Sequence, residues 1–240
     1  MKQHFLGFEI DKDFPELREG KVIINTINPH SFCVSLKDYI FKKALVTSNH
    51  LMADGVGITM ANYLLYKNRL KRITGYDLHQ FLLNIALKRN YRVFYLGASE
   101  ETLSKIKIKL SLEYPNLSFE FHSPPFKDKF DMEENLEIIN HINKFKPDIL
   151  FVGMTAPKQE KWVYENNKFL NAQIICSIGA VFDYYAETRN RPSRFWRRLG
   201  LEWIVRFAKE PKRLYQRNLI STPKFIYVVF RNFFKINMKN

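Results

Sequence analysis

Cysteine is nearly absent from this chain, with Cys33 and Cys176 the only two among 240 residues. They lie too far apart for a paired metal-ligand spacing. Cys176 sits inside an apolar run as a small core residue, so both thiols are expected to be reduced, as in cytoplasm. The first residues, Met1-Lys2-Gln3-His4-Phe5, hold no apolar signal segment, and no uncharged run is long enough to cross a bilayer as a helix. Both absences predict a protein that stays inside the cell. Neither GxGxxG nor a P-loop occurs, which counts against NAD-binding and ATP-binding folds. Internal repeats, low-complexity tracts and linkers are missing before about residue 187. What is present is core material: 46% hydrophobic and 15% aromatic residues exclude a disordered chain.

Acids are scarce at the C-terminal end. Residues 188–240 hold fourteen Lys or Arg against Glu202 and Glu210, so +12 of the formal net charge of +14 sits there and 1–187 is nearly neutral. A basic segment laced with aromatics suits solvent, nucleic-acid phosphates, or anionic lipid and phosphate, and charge alone does not choose among them. Lys224, Arg231 and Lys235 share one helical face, while Phe225, Ile226, Val229, Phe230, Phe233 and Phe234 cover much of the rest. This pattern predicts a helix lying in a membrane interface. The alternative is a basic helix that hides its aromatics against the domain.

Ahead of that segment, short β-branched and aromatic runs alternate with helical patterns. Strands are predicted over 22–27, 44–47, 92–96, 117–121, 148–152 and 173–178, and helices over 56–66, 77–86, 100–112, 133–143 and 158–170. Ser99 is placed to cap the helix that follows it, and Pro157 to open the one at 158. The expected fold is a Rossmann-like parallel α/β sheet with helices on both faces over 1–187, carrying a basic helical appendage over 188–240.

Ligands of such sheets bind at the carboxyl ends of strands, where helix N-termini offer free N–H groups. Three turns are candidates: Gly97-Ala98-Ser99, Gly153-Met154-Thr155-Ala156-Pro157, and Gly179-Ala180-Val181-Phe182-Asp183. Each also reads as a plain connection. Gln159, in the first turn after Pro157, is either a surface residue or one that reaches a sugar or diphosphate, while Trp162 turns toward the sheet. Asp54, ahead of Gly55 and a helix, reads first as an N-cap. Arg72 precedes a Thr-Gly turn and offers a forked cation suited to diphosphate, or an ordinary surface charge. Asp11-Lys12-Asp13 has the letters of a divalent-metal motif but the wrong setting, so no metal is expected there. Among the histidines only His50 lies near Asp54 in sequence, and it reads as a solvent-facing or core-edge imidazole.

Three signatures occur in a fixed order: Ala53-Asp54-Gly55-Val56-Gly57, then Gly153 to Trp162 with its Pro-Lys-Gln-Glu-x-x-Trp string, then Gly200-Leu201-Glu202-Trp203 running to Glu210-Pro211-Lys212-Arg213. Over roughly residues 20–215 the chain resembles the WecG/TagA/CpsF family of bacterial glycosyltransferases. The resemblance implies an inverting, metal-independent transfer, without cofactor, of a hexose or N-acetylhexosamine from a UDP donor to a sugar on a polyprenyl-diphosphate carrier. The enzyme is then peripheral on the cytoplasmic membrane face and feeds teichoic acid, capsule or another surface polysaccharide. It implies Asp54 as the base that deprotonates the acceptor hydroxyl. Thr26, Asn28, Arg72 and Gln159 would hold the donor and its diphosphate, and Asp183 the uridine. Arg206 and Arg213 would close over the leaving group from the appendage, and the turns at Gly97, Ala98, Gly153, Pro157 and Gly179 would form the nucleotide crevice. Glu187 stands where the family has Gly, and Arg189-Asn190-Arg191-Pro192 where it has Arg-Ala-Pro, leaving Arg189 and Arg191 as alternative equivalents. Two rival functions are a nucleic-acid-binding protein and a membrane-docking scaffold, each using the basic segment without catalysis.

Overall fold

The computed structural model describes residues 1–190, 192, 193, 195, 196 and 200–238. Its strands are β1 (Lys2–Phe5), β2 (Phe8–Asp11), β3 (Val22–Ile27), β4 (His50–Ala53), β5 (Val93–Gly97), β6 (Phe119–His122), β7 (Ile149–Gly153) and β8 (Ile174–Ser177). They form one sheet in the order β1-β2-β4-β3-β8-β7-β5-β6. Only β1 and β2 pair antiparallel, and all other neighbours run parallel. The parallel strands read as near-continuous apolar runs because both their faces are covered. The β1–β2 hairpin extends the sheet beyond the strands expected from residue 22 onward. Its turn residues Leu6 and Gly7 both have positive φ, 45° and 88°, which suits the twist of a two-residue hairpin.

The helices are α1 (Pro29–Ser35), α2 (Tyr39–Val46), α3 (Val56–Tyr66), α4 (Gly75–Arg89), α5 (Glu100–Glu113), α6 (Met132–Phe145), α7 (Lys158–Asn166) and α8 (Val181–Tyr185). The appendage adds α9 (Glu202–Lys209), α10 (Pro211–Tyr215), a π-helical segment (Gln216–Ser221) and α11 (Thr222–Asn237). The strand expected over 44–47 is instead the end of α2. Asp38 caps that helix by accepting from the Phe41 N–H at 2.9 Å, and Phe41, Ala44 and Leu45 are buried at helical spacing, so periodicity and cap together outweigh the apolar Ala-Leu-Val run. Ser99 caps α5 as expected, accepting from the Thr102 N–H.

On one face of the sheet α4, α5 and α8 bury Leu78, Leu82, Ile106, Leu110, Phe182 and Tyr185 against Val22, Ile24, Tyr95, Phe151 and Cys176. The opposite face is covered in two blocks. α6 and α7 place Ile138, Ile142, Trp162 and Val163 on Phe94, Leu96, Leu150, Val152 and Ile175. α1, α2 and α3 place Phe32, Phe41, Leu45 and Ile58 with Phe5, Phe8, Ile10 and Leu51. α11 joins this second block through Phe225 and Val229, with the Phe225 ring 5.3 Å from that of Phe32. The appendage therefore shares a core with the sheet rather than lying apart from it.

Candidate active site

The carboxyl ends of five strands meet along one edge. Ile27 pairs with Ala53, Val152 with both Leu96 and Ser177, and Gly97 with Gly153. The segments that leave these ends carry Asp54, Asn28, Gly179, Gly153 to Pro157, and Gly97 with Ala98. Two of the turns are pressed together. A Cβ on Gly97 would lie 2.6 Å from the Gly153 carbonyl oxygen, and one on Gly153 would lie 2.8 Å from the Phe182 ring. Both positions admit glycine for close approach, whatever they do for a ligand. Ala98 and Thr155 hold positive φ, 61° and 69°, a strained conformation found often at binding loops.

Asp54 is tied into this edge by its backbone, its N–H donating to the Ile27 carbonyl at 2.8 Å. It does not cap α3: Gly55 is the N-cap residue and no side chain bonds the free N–H groups. Among the described residues nothing hydrogen-bonds or ion-pairs with the Asp54 carboxylate. Burial pushes its pKa up, and the nearby charges then divide: Arg217, Arg206 and Arg72 pull it down while Glu202 pushes it up. Arg72 reaches the site because the Ile73 N–H donates to the Ala53 carbonyl at 3.0 Å. Thr74 then caps α4 in a reciprocal pair with Asp77.

The appendage supplies two of those guanidinium groups. Gly200 packs on Val56 at the start of α3, and α9 follows with Glu202 and Arg206. Arg206 lies 4.0 Å from Glu202 and 5.4 Å from the centre of the Tyr184 ring. Arg217 comes from the π-helical segment, a feature often seen at functional sites. That segment is pinned to α1, since His30 Nδ1 meets Ser221 Oγ at 2.8 Å and Cys33 Sγ donates to the Ser221 carbonyl at 3.2 Å. Burial lowers the pKa of Arg217, Arg206 lowers it further, and Asp54, Tyr184 and Glu202 raise it. Tyr184, His30, Glu202 and Arg217 all belong to this cluster and none was among the expected site residues.

Arg213 stands elsewhere. It is exposed and bonded to Glu210 at 2.7 Å, Glu210 lies 3.9 Å from Arg189, and Arg189 holds Asp183 at 3.2 Å. Asp183, the residue expected to contact uridine, thus anchors a charged chain from α8 to α10. Of the two candidate equivalents near residue 190, Arg189 is bound to Asp183, and Arg191 lies outside the described residues, as do Arg194, Arg197 and Arg198. Asn28 caps α1, its Oδ1 accepting from the N–H groups of His30 and Ser31 at 3.0 Å, which leaves its amide NH2 for other contacts. Thr26 is half-buried on β3, opposite Met52 of β4. Gln159 is not a surface residue: it is 3% exposed and faces Gly179. Trp162 turns inward and donates to Asn135 Oδ1 at 2.7 Å.

His50 lies at the far end of β4, between Asp11 Oδ1 and the Glu16 carbonyl, each at 3.1 Å. Asp11 also accepts from the Leu51 N–H, and Asp13 pairs with Lys71, so these residues fasten the hairpin to the sheet. Among the described residues no three His, Cys, Asp or Glu side chains gather in a metal-binding group.

A mostly parallel α/β sheet that gathers guanidinium groups at its carboxyl edge, beside a carboxylate unpaired among the described residues, has the form of an α/β enzyme, and such an edge suits an anionic ligand. The sequence profile of the Glycosyl transferase WecG/TagA/CpsF family matches residues 10–239, and the chain belongs to that family of glycosyltransferases. It is similar to the N-acetylglucosaminyldiphosphoundecaprenol N-acetyl-beta-D-mannosaminyltransferase of Bacillus subtilis (strain 168), at 28% identity over 222 residues covering 92% of this chain and 84% of that one. It is also similar to the protein of the same name from Staphylococcus aureus (strain MW2), at 29% identity over 216 residues covering 90% and 82% of the two chains.

Proposed function

We propose that this protein transfers an N-acetylhexosamine or hexose, N-acetylmannosamine-like, from a UDP donor to the sugar of a polyprenyl-diphosphate carrier with inversion. The observation that carries the reading is Asp54, a carboxylate left free of hydrogen bonds among the described residues at the mouth of the sheet and faced by Arg72, Arg206 and Arg217. Asp54 takes the proton of the acceptor hydroxyl as its oxygen attacks the anomeric carbon, and the bond from that carbon to the diphosphate breaks. Arg206 and Arg217 stabilise the negative charge that accumulates on the departing UDP. Thr26, Asn28, Arg72 and Gln159 hold the donor, and Asp183 with Arg189 stands at the uridine end. The relatives' names, which specify N-acetylmannosaminyl transfer to N-acetylglucosaminyldiphosphoundecaprenol, support this choice of donor sugar and acceptor.

Arg217→Met tests the charge role. Its kcat for UDP release is expected to fall by about 10²–10³, the range for removing one preorganised donor to a developing anion. The thermal midpoint should hold or rise, because a desolvated guanidinium has gone. Arg213→Met, which only frees Glu210, should cost several-fold at most. The reverse ranking of the two variants contradicts the assignment.

The lipid-linked acceptor requires the enzyme to meet a bilayer, and the appendage has a surface for it. Among the described residues no helix is long and apolar enough to cross a membrane. α11, however, leaves Ile226, Tyr227, Phe230 and Phe234 exposed beside Lys224, Arg231 and Lys235. Such a mixture suits an interface with anionic lipid. Phe230→Ser with Phe234→Ser should weaken sedimentation with phosphatidylglycerol vesicles by about tenfold or more while leaving the circular dichroism spectrum unchanged. Equal sedimentation of variant and wild type contradicts this docking surface.

A further inference from the structure

The apolar layer formed by α1, α2, α3, α6 and α7 is split where β3 meets β8. Ile24 pairs with Cys176, so the next residues, Asn25 and Ser177, sit side by side and point to this face. Gln159 and Glu160, at the start of α7, pack on the same side. All four are buried, none more than 3% exposed. Each nevertheless holds a polar atom without a hydrogen-bond partner among the described residues: Asn25 Oδ1, Ser177 Oγ, Gln159 Oε1 and Glu160 Oε2. Buried polar atoms are rarely left this way.

A cavity of about 180 Å³ adjoins two of them, with Asn25, Thr47, Ser48, Glu160, Tyr164 and Asn167 in its wall. Two of its hydroxyl protons are already committed, Thr47 Oγ1 donating to the Lys43 carbonyl and Ser48 Oγ to that of Leu45. The cavity wall includes the two residues whose acceptors Asn25 Oδ1 and Glu160 Oε2 lack a partner, and it has room for water, which donates. On its other side Glu160 Oε1 accepts from Gln159 Nε2 at 2.9 Å. Both ends of the Gln159 amide face the Gly179 turn, where an added Cβ would lie 3.5 Å from Oε1 and 3.6 Å from Nε2, and with Nε2 held by Glu160 it is Oε1 that is left free.

We propose that Glu160 is a positioning residue: it fixes which way round the Gln159 amide sits beside the Gly179 turn, and so which amide atom is free there, while water in the adjoining cavity satisfies Asn25 and the free oxygen of Glu160. The kinetic consequence rests on the reading of Gln159 as a donor-binding residue. An ionised Glu160 only accepts, and holds Nε2. A protonated one can also donate, to Oε1, which turns the amide end for end. Burial pushes Glu160 up to about 7, opposed by the hydrogen bonds from Gln159 and from its own backbone. Among the described residues none of the charged or titratable groups on the elements packed around it bonds to Glu160, and several are engaged elsewhere. Asp38 pairs with Lys161, Lys43 lies over Tyr39, and Glu134 of α6 pairs with Lys127. Lys21, ahead of β3, bonds the carbonyls of Asn167 and Leu170. Tyr164 lines the cavity, and Cys176 points to the opposite face.

The test uses the full chain labelled with 15N, with the Gln159 side-chain amide assigned by its loss in Q159A. That resonance is expected to shift with a midpoint near 7 in the wild type and to stay fixed across the same range in E160Q, which has no proton to lose. In UDP-release kinetics, E160A and Q159A should each lower kcat/KM by about tenfold or more. The double variant should lose no more than either alone, and E160Q should recover most of the activity that E160A loses. A wild-type amide that does not titrate, or losses that add in the double variant, overturns the proposal. Absence of UDP release from the wild type would count against the transferase reading instead, and the amide titration would still decide the role of Glu160.

Discussion

Asp54→Asn is expected to lower acceptor-dependent sugar transfer by about 10²–10⁴, the usual contribution of a positioned general base, while making the protein more resistant to heat at neutral pH. The two effects have one cause. Asp54 has its pKa raised by burial in the folded chain, so the native state binds its proton more tightly than the unfolded state does. Stability then falls as pH rises from the ordinary carboxylate value through the raised one, and remains lower above it. Asparagine removes that penalty together with the base. The thermal midpoints of the two proteins should converge in acid, where Asp54 is protonated in both states, and separate toward neutrality with the variant above. Transfer by the wild type should rise with pH across the same window, since only the ionised carboxylate accepts the proton. A variant that keeps transfer within tenfold of wild type contradicts the role of Asp54. A variant that loses activity by unfolding contradicts the account of its environment.

The second large effect concerns stability. Phe225 is 3% exposed and meets Phe32 and Phe5 at ring distances of 5.3 and 6.4 Å. Phe225→Ala should cost about 3–5 kcal/mol, as for other buried phenylalanines, and at roughly 2–4 °C per kcal/mol for a chain of this size should lower the midpoint by roughly 6–20 °C. Phe230→Ala, on the same helix but half-exposed, should change it by about 0.5 kcal/mol or less. Differential scanning calorimetry of both variants decides. Equal, small shifts would mean that α11 does not belong to the folding unit built on β1 and α1. Because α11 is part of that core, removing it wholesale confounds membrane binding with unfolding, and substitutions on its outer face are the cleaner probe of lipid contact.

The parallel sheet was legible because Val22 to Ile27, Val93 to Gly97 and Ile149 to Gly153 are dense apolar runs, the last two each followed by a turn and a helix with readable periodicity. The turns at Gly97, Gly153 and Gly179 were legible for the same reason, since turn residues mark strand ends directly. The β1–β2 hairpin was not, because its strands are four residues long and Leu6-Gly7 is not a typical turn pair. Arg217 escaped notice because spacing within a basic helix does not say which arginine turns inward. That is decided by Leu214, Asn218 and Ser221, which are buried, and by the contacts of Ser221 with His30 and Cys33. Gln159 and Glu160 look like the polar opening of a surface helix. Only the packing of α2 beside α7 shows them to be interior. The appendage pattern was half legible: aromatics on most sides of α11 predict a helix lying in a membrane interface, with packing against the domain as the alternative, but not that Phe225 and Val229 face the core while Phe230 and Phe234 face outward.

The most direct test of the transferase account is UDP release by the wild-type protein from UDP-N-acetylmannosamine and other UDP-sugars, with and without a short-chain polyprenyl-diphosphate-N-acetylglucosamine acceptor, each in the presence and absence of EDTA. The account predicts release that depends on the acceptor, is strongest with one UDP-sugar, and is unchanged by EDTA. Release without acceptor dependence, or none from any donor and acceptor pair, contradicts it.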